Sequence, residues 1–286
     1  LACCDLILTN GAGLVVYSGV TSDMATPSSV IEVNGAITLN GGWIYPYSHP
    51  TNGGSVLVRT RDLTVFPGSG FNADGAGFSA GRVNGDPGFG PGRGVTAAAG
   101  YGGSGGKENN VYGDPVNPLA PGSGGLCGTA NPGGAGGLIR IEASGHVILN
   151  GVLSANGNYC AGFGSSPGSG GGVNLRCATL AGTNGLISAS GGSFGNLGGG
   201  GGGRIAVVYT NAAAQAALPA PALTYTAHRG TGNTGADPGE IGTIYFCDQS
   251  LLREVIGHSG HLVLPADQRR WEPASLTLTG GWFRLS

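Results

Sequence analysis

Five short β-prone stretches, each entered directly from a glycine, recur along the chain. They are Ser55-Val-Leu-Val-Arg, Leu138-Ile-Arg-Ile-Glu, Val173-Asn-Leu-Arg-Cys, Arg204-Ile-Ala-Val-Val and Thr243-Ile-Tyr-Phe-Cys. Their starts lie 83, 35, 31 and 39 residues apart. A second pattern sits inside the repeats. Asn150-Gly-Val-Leu-Ser-Ala-Asn-Gly157 matches Asn184-Gly-Leu-Ile-Ser-Ala-Ser-Gly191; Asn34-Gly-Ala-Ile-Thr-Leu-Asn-Gly41 repeats it, and Phe71-Asn-Ala-Asp-Gly75 is a fainter copy. Asn-Gly turns at little steric cost, so each copy reads as turn, strand, turn. One such unit cannot bury its own apolar side, so several must stack. The pattern predicts an all-β fold over residues 30–250. Its expected form is a parallel β-solenoid with almost no helix and long Gly-rich loops, right-handed by the usual rule for parallel crossovers. A β-sandwich ranks below it, because sandwich strands need not repeat one order. Residues 1–286 are then a single domain. The widest gap holds one coil plus an inserted Gly-rich lobe at 76–135, and a more charged segment closes the chain at 248–286.

Composition agrees. The chain has 61 Gly and 16 Pro among 286 residues, which disfavours long helices. No Gly-X-Y period runs through it, so it is not collagen. A net charge of -2 with 40% hydrophobic residues excludes disorder by self-repulsion. A pI of about 6.2 leaves no basic patch for nucleic acid. No apolar run approaches the ~18 residues of a membrane span. Six cysteines without a Cys-x-x-Cys pair argue against a zinc knuckle. An even cysteine count, few charges and abundant small polar residues suit an extracellular or cell-surface location, where disulfides persist. Cys127 and Cys160 precede their coil starts by 11 and 13 residues, which places them in equivalent loops and predicts a disulfide between them. Cys177 and Cys247 each stand four residues after a coil start but two coils apart. That separation, about 9.6 Å, exceeds the ~7 Å Cα limit for a bridge.

Gly136-Gly-Leu-Ile-Arg-Ile141, Leu149-Asn-Gly-Val-Leu-Ser-Ala-Asn-Gly157 and Gly199 to Gly203 running into Arg204-Ile-Ala-Val-Val together resemble a family of Gly-rich repeat proteins. These are secreted or surface proteins of environmental bacteria, similar to the parallel β-helix, pectin-lyase-like group. The resemblance covers residues 30–250. It implies an architecture and carries no catalytic motif onto this chain.

Chemistry-bearing residues are sparse. Asp86, Asp114 and Asp237 each precede Pro in Gly-rich stretches, which is turn chemistry first. Gathered on one face they would suit Ca²⁺, the one metal this sequence suggests; no other cofactor is expected. Asp248, Glu254 and His258 are the catalytic set to consider if the chain is an enzyme, since glycoside hydrolysis needs two carboxyls at a fixed separation. The plainer reading makes them part of a solvated last coil. Strand alternation puts Trp43, Tyr45 and Tyr47 on one face, where they form either a sugar platform or a packed cap. The expected function is a structural or adhesive extracellular protein, such as a filament or surface-layer subunit. Its partners are copies of itself, other surface proteins or polysaccharide. The alternative is a polysaccharide-active enzyme or carbohydrate-binding module on the same scaffold. Both chain ends are strand-like, and the N-terminal one is almost uncharged, which favours head-to-tail contact between subunits, with Cys3 and Cys4 placed to cross-link neighbours.

Overall fold

The computed structural model describes residues 1–108, 110–128, 133–160, 164–194, 196–253, 255–268, 271–279 and 283–285. Its strands are, in chain order, β1 (Ala2–Cys3), β2 (Leu6–Thr9), β3 (Gly13–Tyr17), β4 (Pro27–Asn40), β5 (Trp43–Tyr47), β6 (Ser55–Val65) and β7 (Gly70–Asn72). After a long insertion follow β8 (Leu138–Ala143), β9 (His146–Leu149), β10 (Val152–Ser154), β11 (Gly172–Cys177), β12 (Thr179–Ala181), β13 (Leu186–Ser188) and β14 (Arg204–Tyr209). The last are β15 (Thr224–Thr226), β16 (Thr243–Phe246), β17 (Val255–Ile256), β18 (Gly260–Val263), β19 (Thr277–Leu278) and β20 (Phe283–Leu285). One helix, Ala212–Ala216, and two 3-10 turns are the only helical elements among the described residues.

The fold is all-β, and strand pairs with strand in parallel. A twelve-stranded sheet follows the order β1-β4-β6-β8-β11-β14-β16-β18-β20, with β2 on β4, β9 on β6 and β12 on β9 beside this path, and a six-stranded sheet the order β15-β13-β10-β7-β5-β3. From β4 to β16 the chain visits the two sheets in turn, so each repeat adds a layer to both. Inward residues stack in columns: Ile139, Val173, Ile205 and Ile244 in the larger sheet, Phe71, Leu153, Ile187 and Tyr225 in the smaller. All are at most 1% exposed and belong to one apolar core. These columns explain the repeats, because β-branched and aromatic side chains pack well on a pleated, half-buried surface.

Two register expectations need correction. Leu138, Gly172, Arg204 and Thr243 lie side by side, so the third repeat starts at Gly172 rather than Val173. Cys177 therefore pairs with Tyr209, and Cys247 sits one row earlier; β14 lies between their strands. The Asn34–Gly41 copy is not a turn-strand-turn unit either. All of it but Gly41 lies within β4, whose register against β6 shifts between Val33 and Ala36. At this bulge Gly35 N–H donates to Cys4 O, and Ala36 N–H donates to the Asp5 carboxylate.

The Gly-rich stretches expected to be loops are, in their described residues, ordered arms joining the smaller sheet back to the larger, within 73–137, 155–171, 189–203 and 227–242. They pack against one another through backbone hydrogen bonds with a period of three. Gly199 and Gly202 N–H donate to the 237–240 segment, Gly200 and Gly203 to the 189–192 segment, and Gly201 to Ala99. In the inserted lobe, Gly122 and Gly125 donate to 133–136, while Gly124 and Cys127 donate to 86–89. Ser123 and Leu126 donate to the hydroxyls of Ser169 and Ser166. A strand alternates its donors between two neighbours, but a three-residue left-handed extended helix aims successive N–H groups at three. The arms are therefore a bundle of such helices. At glycines enclosed on every side there is no room for a side chain: a Cβ on Gly203 would stand 2.0 Å from Gly171 O, and one on Gly136 1.9 Å from Ala155 O.

The 76–135 lobe belongs to this bundle and also covers the outer face of the larger sheet. Arg204, only 4% exposed, clamps it there. Its guanidinium donates to Tyr112 O from Nε at 2.9 Å and Nη2 at 2.7 Å, and to Thr243 Oγ1 from Nη1 at 3.1 Å. It also lies over the Tyr101 ring, 5.4 Å from its centroid.

The expected Cys127–Cys160 disulfide is absent, and all six cysteines are free thiols. The two are not in equivalent positions. Cys127 N–H donates to Asp86 O, and its neighbour Gly128 to the Ser165 hydroxyl, whereas Cys160 N–H donates to Ser193 O in the next arm. Burial pushes the Cys177 thiol up to about 12, so it is a core residue and a poor nucleophile. No helix among the described residues is long and apolar enough to cross a membrane.

Candidate functional site

The outer face of the six-stranded sheet carries the most distinctive arrangement. In β5, Ile44 and Pro46 are buried while Trp43, Tyr45 and Tyr47 are half-exposed on the other side, as alternation requires. The register of β3 on β5 brings Tyr17 beside Tyr47, and the two rings stack at 5.0 Å with planes 28° apart. Tyr45 lies across Gly13, whose hypothetical Cβ would be 3.3 Å from the ring. Tyr17 remains 70% exposed, so this aromatic row has an open face. Beside it runs a groove of about 420 Å³, walled by Tyr17 and Tyr47 and floored by Gly75, Ala76 and Gly77, with no charged side chain in its lining.

A polar row continues on the same face. The Ser154 hydroxyl donates to the Asp74 carboxylate at 2.6 Å and Asn156 Nδ2 donates to Ser154 Oγ at 2.8 Å. The Ser188 hydroxyl donates to Asn156 Oδ1 at 2.5 Å, and Ser190 Oγ meets Thr226 Oγ1 at 3.3 Å. These are the outward positions of the Ser-Ala-Asn-Gly repeats, whose intervening Ala155 and Ala189 are fully buried. Sequence alternation located Trp43, Tyr45 and Tyr47. Tyr17 and the polar row were missed, because they join the site only through strand register.

A second groove, about 650 Å³, lies on the larger sheet and includes Glu32, Arg59, Arg61, Glu142 and Arg176. Register alternates the charges: Glu32, Arg59, Glu142 and Arg176 occupy one row. Arg59 Nε donates to Glu142 at 3.1 Å, and Arg140 Nη2 at 2.9 Å. Partial burial pushes the Glu142 carboxyl up, but these two guanidinium hydrogen bonds outweigh it and hold it below the usual range. Such a carboxylate stays ionised at neutral pH and cannot be the general acid of glycoside hydrolysis. The row is a cross-strand charge ladder.

The catalytic set to consider for an enzyme is seen only in part among the described residues. Asp248 accepts from the Tyr209 hydroxyl and from Ser250 N–H. Glu254 lies outside the described residues. His258 is 5% exposed, edge-on to Tyr225 at 4.9 Å and Phe246 at 6.5 Å, and its Nδ1 accepts from Tyr225 N–H. It is a core residue. Burial, with Arg253 adding to it, lowers its pKa to about 4. A folded-state pKa below the unfolded value of ~6.5 makes the unfolded state bind the proton first. The resulting stability is complete above pH ~6.5 and is lost as pH falls toward 4, by up to ~3 kcal/mol. Urea midpoints measured across that window are expected to fall with pH, and less steeply in His258→Gln.

Asp86, Asp114 and Asp237 stand in separate turns. Asp86 O accepts from Cys127 N–H, the Asp114 carboxylate from Val116 N–H, and Asp237 O from Gly199 N–H. No three His, Cys, Asp or Glu side chains gather at a metal site among the described residues. Cys4 is exposed and Cys3 half-buried in β1, at the edge of the larger sheet.

Compared with models of known families, with curated proteins and with solved structures, the chain matches none.

Proposed function

We propose that this chain is an extracellular adhesive β-solenoid, right-handed, whose six-stranded sheet holds an uncharged polysaccharide without cleaving it. The observation that carries the reading is the half-exposed row of Trp43, Tyr45, Tyr47 and Tyr17 beside an uncharged groove. Aromatic faces stack on the apolar faces of sugar rings, and the neighbouring Ser, Asn and Asp side chains supply hydrogen bonds. Binding without cleavage is favoured by the ion-paired Glu142 and by the burial of His258. The extracellular location rests on composition, with its single lysine and few charges, since the thiols are unpaired. Depletion of the protein by insoluble cellulose, chitin and xylan tests the reading. At least one is expected to retain it, with about tenfold weaker binding for Tyr17→Ala at a little-changed melting temperature, since Tyr17 is 70% exposed. No retention by any polysaccharide, or variants that bind as wild type does, would overturn it.

A second reading, assembly end to end, is favoured at the β1–β3 edge. Leu6, Leu8 and Leu14 face inward there but stay partly exposed, while their partners Ile37, Leu39 and Ile44 are 0% exposed. Exposed Ile7 and Val15 flank them. A second copy adding its β20 edge would cover this surface in the same parallel sense. Sedimentation at rising concentration is expected to show growing oligomers, and fewer after deletion of residues 275–286. A monomer throughout, or assembly indifferent to that deletion, rejects this reading.

A further inference from the structure

The polysaccharide site proposed above has an exposed aromatic neighbour that no repeat predicts. Tyr159 and Phe194, 60% and 56% exposed, pair with ring centroids 5.4 Å apart. They follow β10 and β13, on the same arms that carry the polar row. The Phe194 backbone has φ +69, a left-handed conformation unfavourable for a bulky residue. Its N–H donates to Thr231 O at 2.7 Å, which fixes the ring where it stands. Strain of this kind persists only where the surroundings impose it, and it concentrates at binding sites.

The pair is linked to the first groove through Asn158. Asn158, next to Tyr159 in the chain, has its side chain against the Cα of Gly75 and near that of Gly134, both of which line the Tyr17–Tyr47 groove. Along the stack, β10 is two strand steps from β5, by way of β7, and β13 is a third. Each step is about 4.8 Å, close to the length of one sugar residue in an extended chain. Asp74 follows β7 in the intervening layer, and Asn156 and Ser190 share the β10 and β13 layers with the pair.

We propose that Tyr159 and Phe194 form a second sugar subsite. An extended, uncharged polysaccharide would run along the stacking axis, stacking on Tyr17–Tyr47 at one end and Tyr159–Phe194 at the other. The inference rests on the reading of the first groove as a carbohydrate site. It predicts that affinity depends on chain length, because a short oligosaccharide reaches one aromatic pair and a longer one bridges both.

Calorimetry with soluble cello-, xylo- and chito-oligosaccharide ladders, from the disaccharide upward, tests it. Affinity is expected to rise steeply once the oligosaccharide spans both pairs. Tyr159→Ala is expected to abolish that rise while leaving binding of the shortest ligands unchanged. Phe194→Gly relieves the backbone strain as it removes the ring, so its melting temperature should rise while affinity for long ligands falls about tenfold. If long ligands bind wild type, Tyr159→Ala and Phe194→Gly alike, the second subsite is rejected and the first groove stands. If no ligand of any length binds wild type, the first groove fails as well.

Discussion

Gly203→Ala is expected to destabilise the protein by about 3 kcal/mol, a large effect for one methyl group. The new Cβ would lie 2.0 Å from Gly171 O, 2.8 Å from Gly170 C and 2.9 Å from Ala189 O. All three are backbone atoms, two on the neighbouring arm and one across the same arm, so no side chain can rotate away. Arm spacing would have to widen, which stretches the donor bond from Gly203 to Ala189 O. Gly19→Ala is the control, because its Cβ would meet nothing nearer than Ser28 at 3.9 Å. That change is expected to be neutral or slightly stabilising. Urea denaturation of the two variants reads the difference directly, and equal midpoints would mean that the arms are loosely packed.

Arg204→Ala is the second large effect, also about 3 kcal/mol. Hydrogen bonds from a charged donor contribute ~1.5–3 kcal/mol each, and a buried carbonyl left unpaired costs ~1–3 kcal/mol. Loss of the buried charge's own desolvation cost offsets part of this. The loss would be local at first, because Arg204 joins residues 92 and 103 positions away in the lobe to the sheet. Limited proteolysis is expected to cut first between Tyr101 and Tyr112 in Arg204→Ala, while the strands stay intact. Arg204→Lys should fall between, since one ammonium cannot replace the paired donors to Tyr112 O. Cleavage at wild-type rates in Arg204→Ala would show that the lobe is held by other contacts.

What was legible in the sequence followed short periods. Period two located the strands and the outward side of Trp43, Tyr45 and Tyr47. Recurrence near 35 residues gave the parallel stacking, with the third start one residue out because Gly172 already carries the ladder. The arms were not legible. Their period of three lies in the directions of backbone N–H groups, and a run such as Gly199–Gly203 carries no side chains to display it. Read alone, it is indistinguishable from a flexible loop. The same blindness hid the setting of Cys127: its backbone N–H donates to Asp86 O within the lobe, whereas that of Cys160 donates to Ser193 O in the next arm. Tyr17, Arg204 and the Tyr159–Phe194 pair likewise owe their positions to register between distant segments.

A rigid adhesive scaffold requires the glycine arms to be as firmly held as the strands they join. Amide hydrogen exchange at Gly199 to Gly203 measures this directly, because these N–H groups donate in turn to three packed segments, at 237–240, at 189–192 and at Ala99. Protection comparable with that of Ile205 and Val207 in the adjoining strand is predicted, with loss on global unfolding only. Exchange at the rate of an unstructured glycine loop, while Ile205 and Val207 stay protected, would contradict the bundle and the scaffold reading built on it.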